Sequence, residues 1–113
     1  MKYIVAIIQP DRLDDVLDIL EKKEIHLVTV SNVMGRGRQK GISEVYRSHK
    51  EGGSLLKKMK VEVAVNEEYV QPTVEAIQTA ARTGAVGDGK IFVLDLGQVI
   101  RIRTGETGRL AIG

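Results

Sequence analysis

Hydrophobic positions change period along this chain, and the changes lay out its elements. Residues 2–8 form an apolar, β-branched run closed by Gln9-Pro10, the pattern of a buried strand. From Asp11 the period lengthens. Leu13, Val16, Leu17 and Leu20 recur at i, i+3, i+4 and i+7, which gives a helix one apolar face. Asp11 reads as its N-cap, Asp14 and Asp15 suit a positive first turn, and Lys22-Lys23 suit a negative end. Residues 26–34 predict a second strand, stopped by Gly35 and Gly37. The glycine-punctuated stretch 35–57 is thin in apolar residues and is expected to be one long mobile loop. Alternation resumes over 58–65, with Val61, Val63 and Val65 on one face. A second helix is expected over 67–82, with Val70, Val74, Ile77 and Ala81 inward and Pro72 confined to its first turn. Residues 90–96 predict a fourth strand, and 99–102 a short extended tail.

The order βαββαβ predicts an α+β, ferredoxin-like fold: an antiparallel sheet with two helices on one face. Such a sheet normally alternates, because its other face meets water. Yet residues 3–8 and 91–94 are apolar on both faces. Something must cover the second face, and in so short a chain another copy of it is the expected cover.

Composition narrows the classes. A chain of 113 residues with 42% hydrophobic content predicts one domain spanning 1–113. With no cysteine, disulfides, thiolate metal sites and a cysteine nucleophile are excluded. The apolar N-terminal run is too short for a signal peptide or a membrane span, so the cytoplasm is the expected compartment. A net charge of +2 is not the balance of a nucleic-acid binder. The basic residues are nonetheless concentrated: Arg36, Arg38, Lys40, Arg47, Lys50 and Lys57 against Glu44 and Glu51. A solvated surface is the simplest reading of such a run.

Two further segments carry candidate chemistry. In 82–90 (Arg-Thr-Gly-Ala-Val-Gly-Asp-Gly-Lys), Gly87 and Gly89 allow backbone N–H groups to converge on an anion, and Lys90 adds a cation. No Gly-Lys-Ser/Thr opens a helix there, so it is not a Walker loop, and taken alone a plain tight turn is the better reading. In 101–106 (Arg-Ile-Arg-Thr-Gly-Glu), alternation along an extended tail would put Arg101 and Arg103 on one side, spaced for adjacent phosphates. Together, two arginines, a lysine and a glycine nest point to a di- or triphosphate.

Three segments, Gly35-Arg-Gly-Arg-Gln-Lys-Gly41, Thr83-Gly-Ala-Val-Gly-Asp-Gly-Lys-Ile-Phe-Val93 and Arg101-Ile-Arg-Thr-Gly-Glu106, resemble the signature loops of PII nitrogen-regulatory proteins. The resemblance runs over essentially the whole chain. It implies a homotrimer with nucleotide clefts between subunits, where ATP and ADP compete and 2-oxoglutarate binds beside MgATP. By position, Gly87, Asp88, Gly89 and Lys90 of one subunit and Arg101 and Arg103 of its neighbour would hold the phosphates, with Arg38 nearby. Ile7, Thr29, Glu62 and Ala64 would lie near the adenine and ribose. Gln39 would give an oxygen to Mg²⁺. Lys58 would pair with a 2-oxoglutarate carboxylate, and the backbone around Gly37, Gln39, Lys40 and Gly41 would complete that site. Tyr46 and Arg47 would contact a regulated partner such as an ammonium transporter or a nitrogen-assimilation enzyme, with membrane contact only through a transporter.

The long loop departs from the resemblance. Many bacterial members carry a second tyrosine that is uridylylated or adenylylated; here that position is Glu51, and a serine phosphorylated in some relatives is His49. Regulation without uridylylation is therefore expected. Three other readings compete. An RNA-binding module of the same topology needs aromatics on its central strands, and aromatics are only 4% of this chain. An enzyme needs a nucleophile beside a base, and the only histidines are His26 and His49. A PII-like paralogue that senses adenine nucleotide alone and serves a non-nitrogen target is opposed by Gln39 and Lys58.

Overall fold

The computed structural model describes residues 1–37, 45–46 and 55–113. The expected long loop, with Arg38, Gln39, Lys40, Gly41 and Arg47, lies largely outside them.

Five strands form one sheet: β1 (Lys2–Ile8), β2 (Thr29–Gly35), β3 (Val45–Tyr46), β4 (Leu55–Val65) and β5 (Lys90–Asp95). The order is β2-β4-β1-β5, and every pairing is antiparallel. Helices α1 (Leu13–Lys22) and α2 (Val70–Ala81) pack on one face, and a short α3 (Arg109–Ile112) follows. This is the expected α+β, ferredoxin-like arrangement. β4 starts at Leu55, before the alternation at 58–65 predicts. Leu56 pairs with Gly35 of β2 and also with Val45 of β3, so β3 lies on the flank of β4 that β1 takes further along.

Paired residues on neighbouring strands share a face, so the register sorts the sheet. Ile4, Ala6 and Ile8 pair with Val63, Val61 and Met59 and meet the helices. Val16 and Leu20 of α1 and Ala76, Ile77 and Ala81 of α2 close that core. The inward stripe of α2 also includes Thr73, which hydrophobicity alone passes over. Fully buried, it donates its hydroxyl to the Tyr69 carbonyl at 2.6 Å, and that bond offsets the cost of burying it.

Three local expectations are corrected. Asp11 is not a cap: Pro10, with its fixed φ, starts a 3-10 turn over Pro10–Arg12, and α1 begins after it without a side-chain cap. Residues 26–28 precede the second strand, because α1 closes with Glu24 at φ 64° and Ile25 N–H returning to the Leu20 carbonyl at 2.9 Å. The 99–102 tail is extended only as far as Arg101 and turns at Ile102. Ile100 bridges to Thr107, and between them Arg101 N–H donates to the Glu106 carbonyl and Gly105 N–H to the Arg101 carbonyl, each at 2.8 Å. The chain turns there, so strand alternation cannot set the relation of Arg101 to Arg103.

Candidate functional site

The second sheet face is open. By register it carries Tyr3, Val5 and Ile7 of β1, Lys60, Glu62 and Ala64 of β4, Thr29 of β2, and Lys90, Phe92 and Leu94 of β5. Phe92 and Leu94 are about half exposed, at 48% and 49%. The anomaly of residues apolar on both faces is thus physical. Ile7, Thr29, Glu62 and Ala64, dispersed in the sequence, share this face. Glu62 accepts a hydrogen bond from the Tyr3 hydroxyl, which pushes the tyrosine's pKa up.

Where β1 ends, β4 and β5 begin, so their termini converge at one end of the sheet. An open cavity of about 660 Å³ lies there. Its wall includes Ile7, Gly37, Lys58, Gly87, Asp88, Gly89 and Lys90, together with Arg36, Val86 and Phe92. Among described residues, Lys58, Lys90 and Arg36 face one carboxylate, Asp88. That is a donor set for anions. A smaller cavity of about 420 Å³, floored by Ile8, Ile77 and Ala81, adjoins it across Gly89 and Lys90.

Lys58 is the most constrained of these cations. It is only 9% exposed; its ammonium donates to the Gly87 carbonyl at 2.8 Å and the Gln9 side-chain carbonyl at 3.2 Å. Burial pushes its pKa down, and the charge of Asp88 partly opposes this. Gln9 is a site residue that sequence reading passed over. It appeared only as the end of a strand, and its position follows from the β1–β4 pairing of Ile8 with Met59.

The 82–90 segment is shaped from within. The Asp88 carboxylate accepts the N–H groups of Thr83 and Gly84 at 2.8 and 2.9 Å and also the Thr83 hydroxyl. The Thr83 hydroxyl and then these N–H groups hold the Asp88 carboxyl below its usual range. Asp88 is thereby turned into its own loop, where its negative charge fixes the backbone. A lowered folded pKa means that this contribution is full above the ordinary carboxylate range and is lost as pH falls through the folded value. Asp88→Ala should lower Tm near neutral pH by about 4 °C, taking about 1 kcal/mol for a capping carboxylate. In melts recorded at stepwise lower pH, the gap to the wild type should close.

Gly89 is required by its surroundings. Its φ is +97°, and a Cβ there would stand 1.7 Å from the Ile7 carbonyl oxygen. The backbone of the loop therefore lies directly on β1. Arg101 and Arg103 are not brought to this cavity within one chain. Arg103 is exposed at the 101–106 turn, and Arg101 pairs with Glu106. The backbone of Tyr46 pairs with that of Leu55 in the sheet.

The fold is thus a ferredoxin-like sheet with an apolar face left uncovered and, at one end, a glycine-lined cavity whose wall carries three cations. The chain belongs to the nitrogen regulatory protein P-II family, whose model matches residues 1–106. It is 54% identical over 114 residues to nitrogen regulatory protein GlnK1 of Methanosarcina mazei, covering 99% of this chain and 97% of that one. It is 54% identical over 112 residues to nitrogen regulatory protein P-II 1 of Methanothermobacter thermautotrophicus, with the same coverage. To nitrogen regulatory protein P-II of Rhizobium etli it is 48% identical over 112 residues, covering 99% of this chain and 100% of that one. The family is one of nitrogen-regulatory signal-transduction proteins. Among the described residues no helix is long and apolar enough to cross a membrane.

Proposed function

We propose that this protein senses ATP, ADP and 2-oxoglutarate in the cytoplasm and passes the result to a nitrogen-metabolism target by contact through residues 35–57, without itself catalysing a reaction. The carrying observation is Lys58, nine-tenths buried in the wall of a cavity that Gly87, Asp88, Gly89 and Lys90 also line. A buried ammonium has lost most of its hydration, so a carboxylate brought against it regains much of what burial cost. The nest and Lys90 suit phosphates, and Lys58 suits a small dicarboxylate beside them. The donor set of the wall is cationic, so Mg²⁺ fits only as its ATP complex, with Gln39 adding an amide oxygen. The target is an ammonium transporter or a nitrogen-assimilation enzyme, met through Tyr46 and Arg47 and free of uridylylation at Glu51.

The open face of β1 and β5 supports assembly into a homotrimer, in which a neighbour's Arg101 and Arg103 complete each phosphate site. Lys90→Ala and Arg103→Ala should each weaken ATP and ADP alike. Loss of one charge-assisted contact costs about 1.5–3 kcal/mol, or roughly 10- to 150-fold in affinity. The two substitutions fall on opposite sides of the shared cleft. Co-refolding the two variants should therefore regenerate a fraction of clefts with wild-type affinity in calorimetric titration. Recovery of no tight sites, with native mass spectrometry showing mixed trimers, would contradict the shared cleft.

A further inference from the structure

The turn that presents Arg101 and Arg103 is built around Glu106. Its carboxylate accepts Arg101 Nη1 at 2.8 Å and the Thr104 hydroxyl at 3.0 Å, while its N–H returns to the same hydroxyl at 3.2 Å. Arg101 Nη2 meanwhile donates to the Leu110 carbonyl of α3 at 2.9 Å. That helix is tied to the 3-10 turn just before α2 by the two-pronged ion pair of Arg109 with Glu68. The guanidinium of Arg101 is therefore held on two sides by acceptors from a turn and a helix that are themselves anchored.

A guanidinium carries five N–H donors in one rigid plane. Two are given to Glu106 and Leu110, so the plane of the remaining donors is fixed. An arginine on an exposed turn must otherwise surrender its rotamer freedom when it grips an anion, and that cost weakens binding. Glu106 also has an opposing effect, since its charge offsets part of the long-range pull of Arg101 on a phosphate. Both side chains are partly exposed, at 35% and 41%, so solvent weakens that opposing charge while the 2.8 Å bond still orders the guanidinium.

We propose that Glu106 is a positioning residue of the nucleotide site, preorganising Arg101 for the phosphates of a ligand in the neighbouring subunit's cleft. This rests on the reading of the cleft given above. Calorimetric titration of MgATP into the intact protein tests it, using Glu106→Ala, Glu106→Gln, Arg101→Ala and the Arg101→Ala/Glu106→Ala double variant. Glu106→Ala should lose roughly 2- to 10-fold in affinity, the range that ordering one rotamer-rich side chain is worth. Glu106→Gln keeps an acceptor for Arg101 without the opposing charge and should retain wild-type affinity. In the Arg101→Ala background, Glu106→Ala should have no further effect.

Equal ATP affinity in wild type and Glu106→Ala would overturn the proposal. So would the same loss with and without Arg101, since Glu106 would then be shaping the turn at large. Failure of the wild-type protein to bind ATP is a separate result, which would sink the reading of the cleft itself.

Discussion

Gly89→Ala should destabilise the protein by about 3 kcal/mol or more, roughly 10–15 °C in Tm for a domain of this size, and abolish nucleotide binding. Two independent costs fall on this position. Its φ of +97° lies where L side chains are strained, and its Cβ would enter the Ile7 carbonyl at 1.7 Å. Ile7 is pinned by pairing with both Lys60 and Lys90, so the strand cannot retreat without breaking ladders on either side. The loop must move instead, and with it the N–H groups of the nest. Gly84 is the matched control. Its φ is +91°, but nothing lies within 4 Å of the added carbon. Gly84→Ala should therefore cost only backbone strain, about 1–2 kcal/mol. Equal melting temperatures for the two variants would mean that the Ile7 contact is not what fixes the loop.

Lys58→Met should remove 2-oxoglutarate binding while leaving the fold intact and ADP binding nearly unchanged. Truncating one partner of a buried charge pair costs roughly 2–5 kcal/mol, or about 30- to several-thousand-fold in affinity. Stability should not follow the same direction. Burial pushes the lysine's pKa down, so below its ordinary range the charged form costs the folded state free energy that the unfolded chain does not bear. Methionine has a similar length and no charge to dehydrate, so Tm should hold or rise. A large fall in Tm would show that the bonds to Gly87 and Gln9 hold the cavity together. Retained 2-oxoglutarate affinity would remove Lys58 from the site.

Much of this fold was legible in the sequence because strand and helix periods differ and few residues break them. The runs 2–8 and 90–95, and the stripe Leu13, Val16, Leu17 and Leu20, needed no tertiary information. The failures are equally physical. Asp11 has the chemistry of a cap, but Pro10 one residue earlier fixes a 3-10 turn that takes its place. Thr73 is polar by composition and buried in fact, because its hydroxyl is satisfied within its own helix. At the site, the glycines, Lys90 and Lys58 could be singled out by residue type. Gln9 could not, since its meaning depends on which strands are neighbours. Nor could the turn of Asp88 into its own loop, where the acid acts on backbone N–H groups. The pairing of Arg101 with Glu106 cut the extended tail short through the Thr104-Gly105 turn, with Gly105 at φ 76°.

The central claim is that a dicarboxylate and a nucleotide share one cleft and report on each other. A small dianion with few apolar atoms binds only where a cation and a metal contact offset its dehydration. In the proposed cleft Lys58 would supply the cation, and ATP would bring the metal. ADP lacks the γ-phosphate that would complete the same coordination. Coupling of this kind is reciprocal, so 2-oxoglutarate must tighten ATP by the factor that ATP tightens it. Calorimetric titration of 2-oxoglutarate into protein saturated with MgATP, and then into protein saturated with ADP, tests this most directly. Binding is expected in the first and none in the second. Binding of equal strength in both, or in neither, would contradict it.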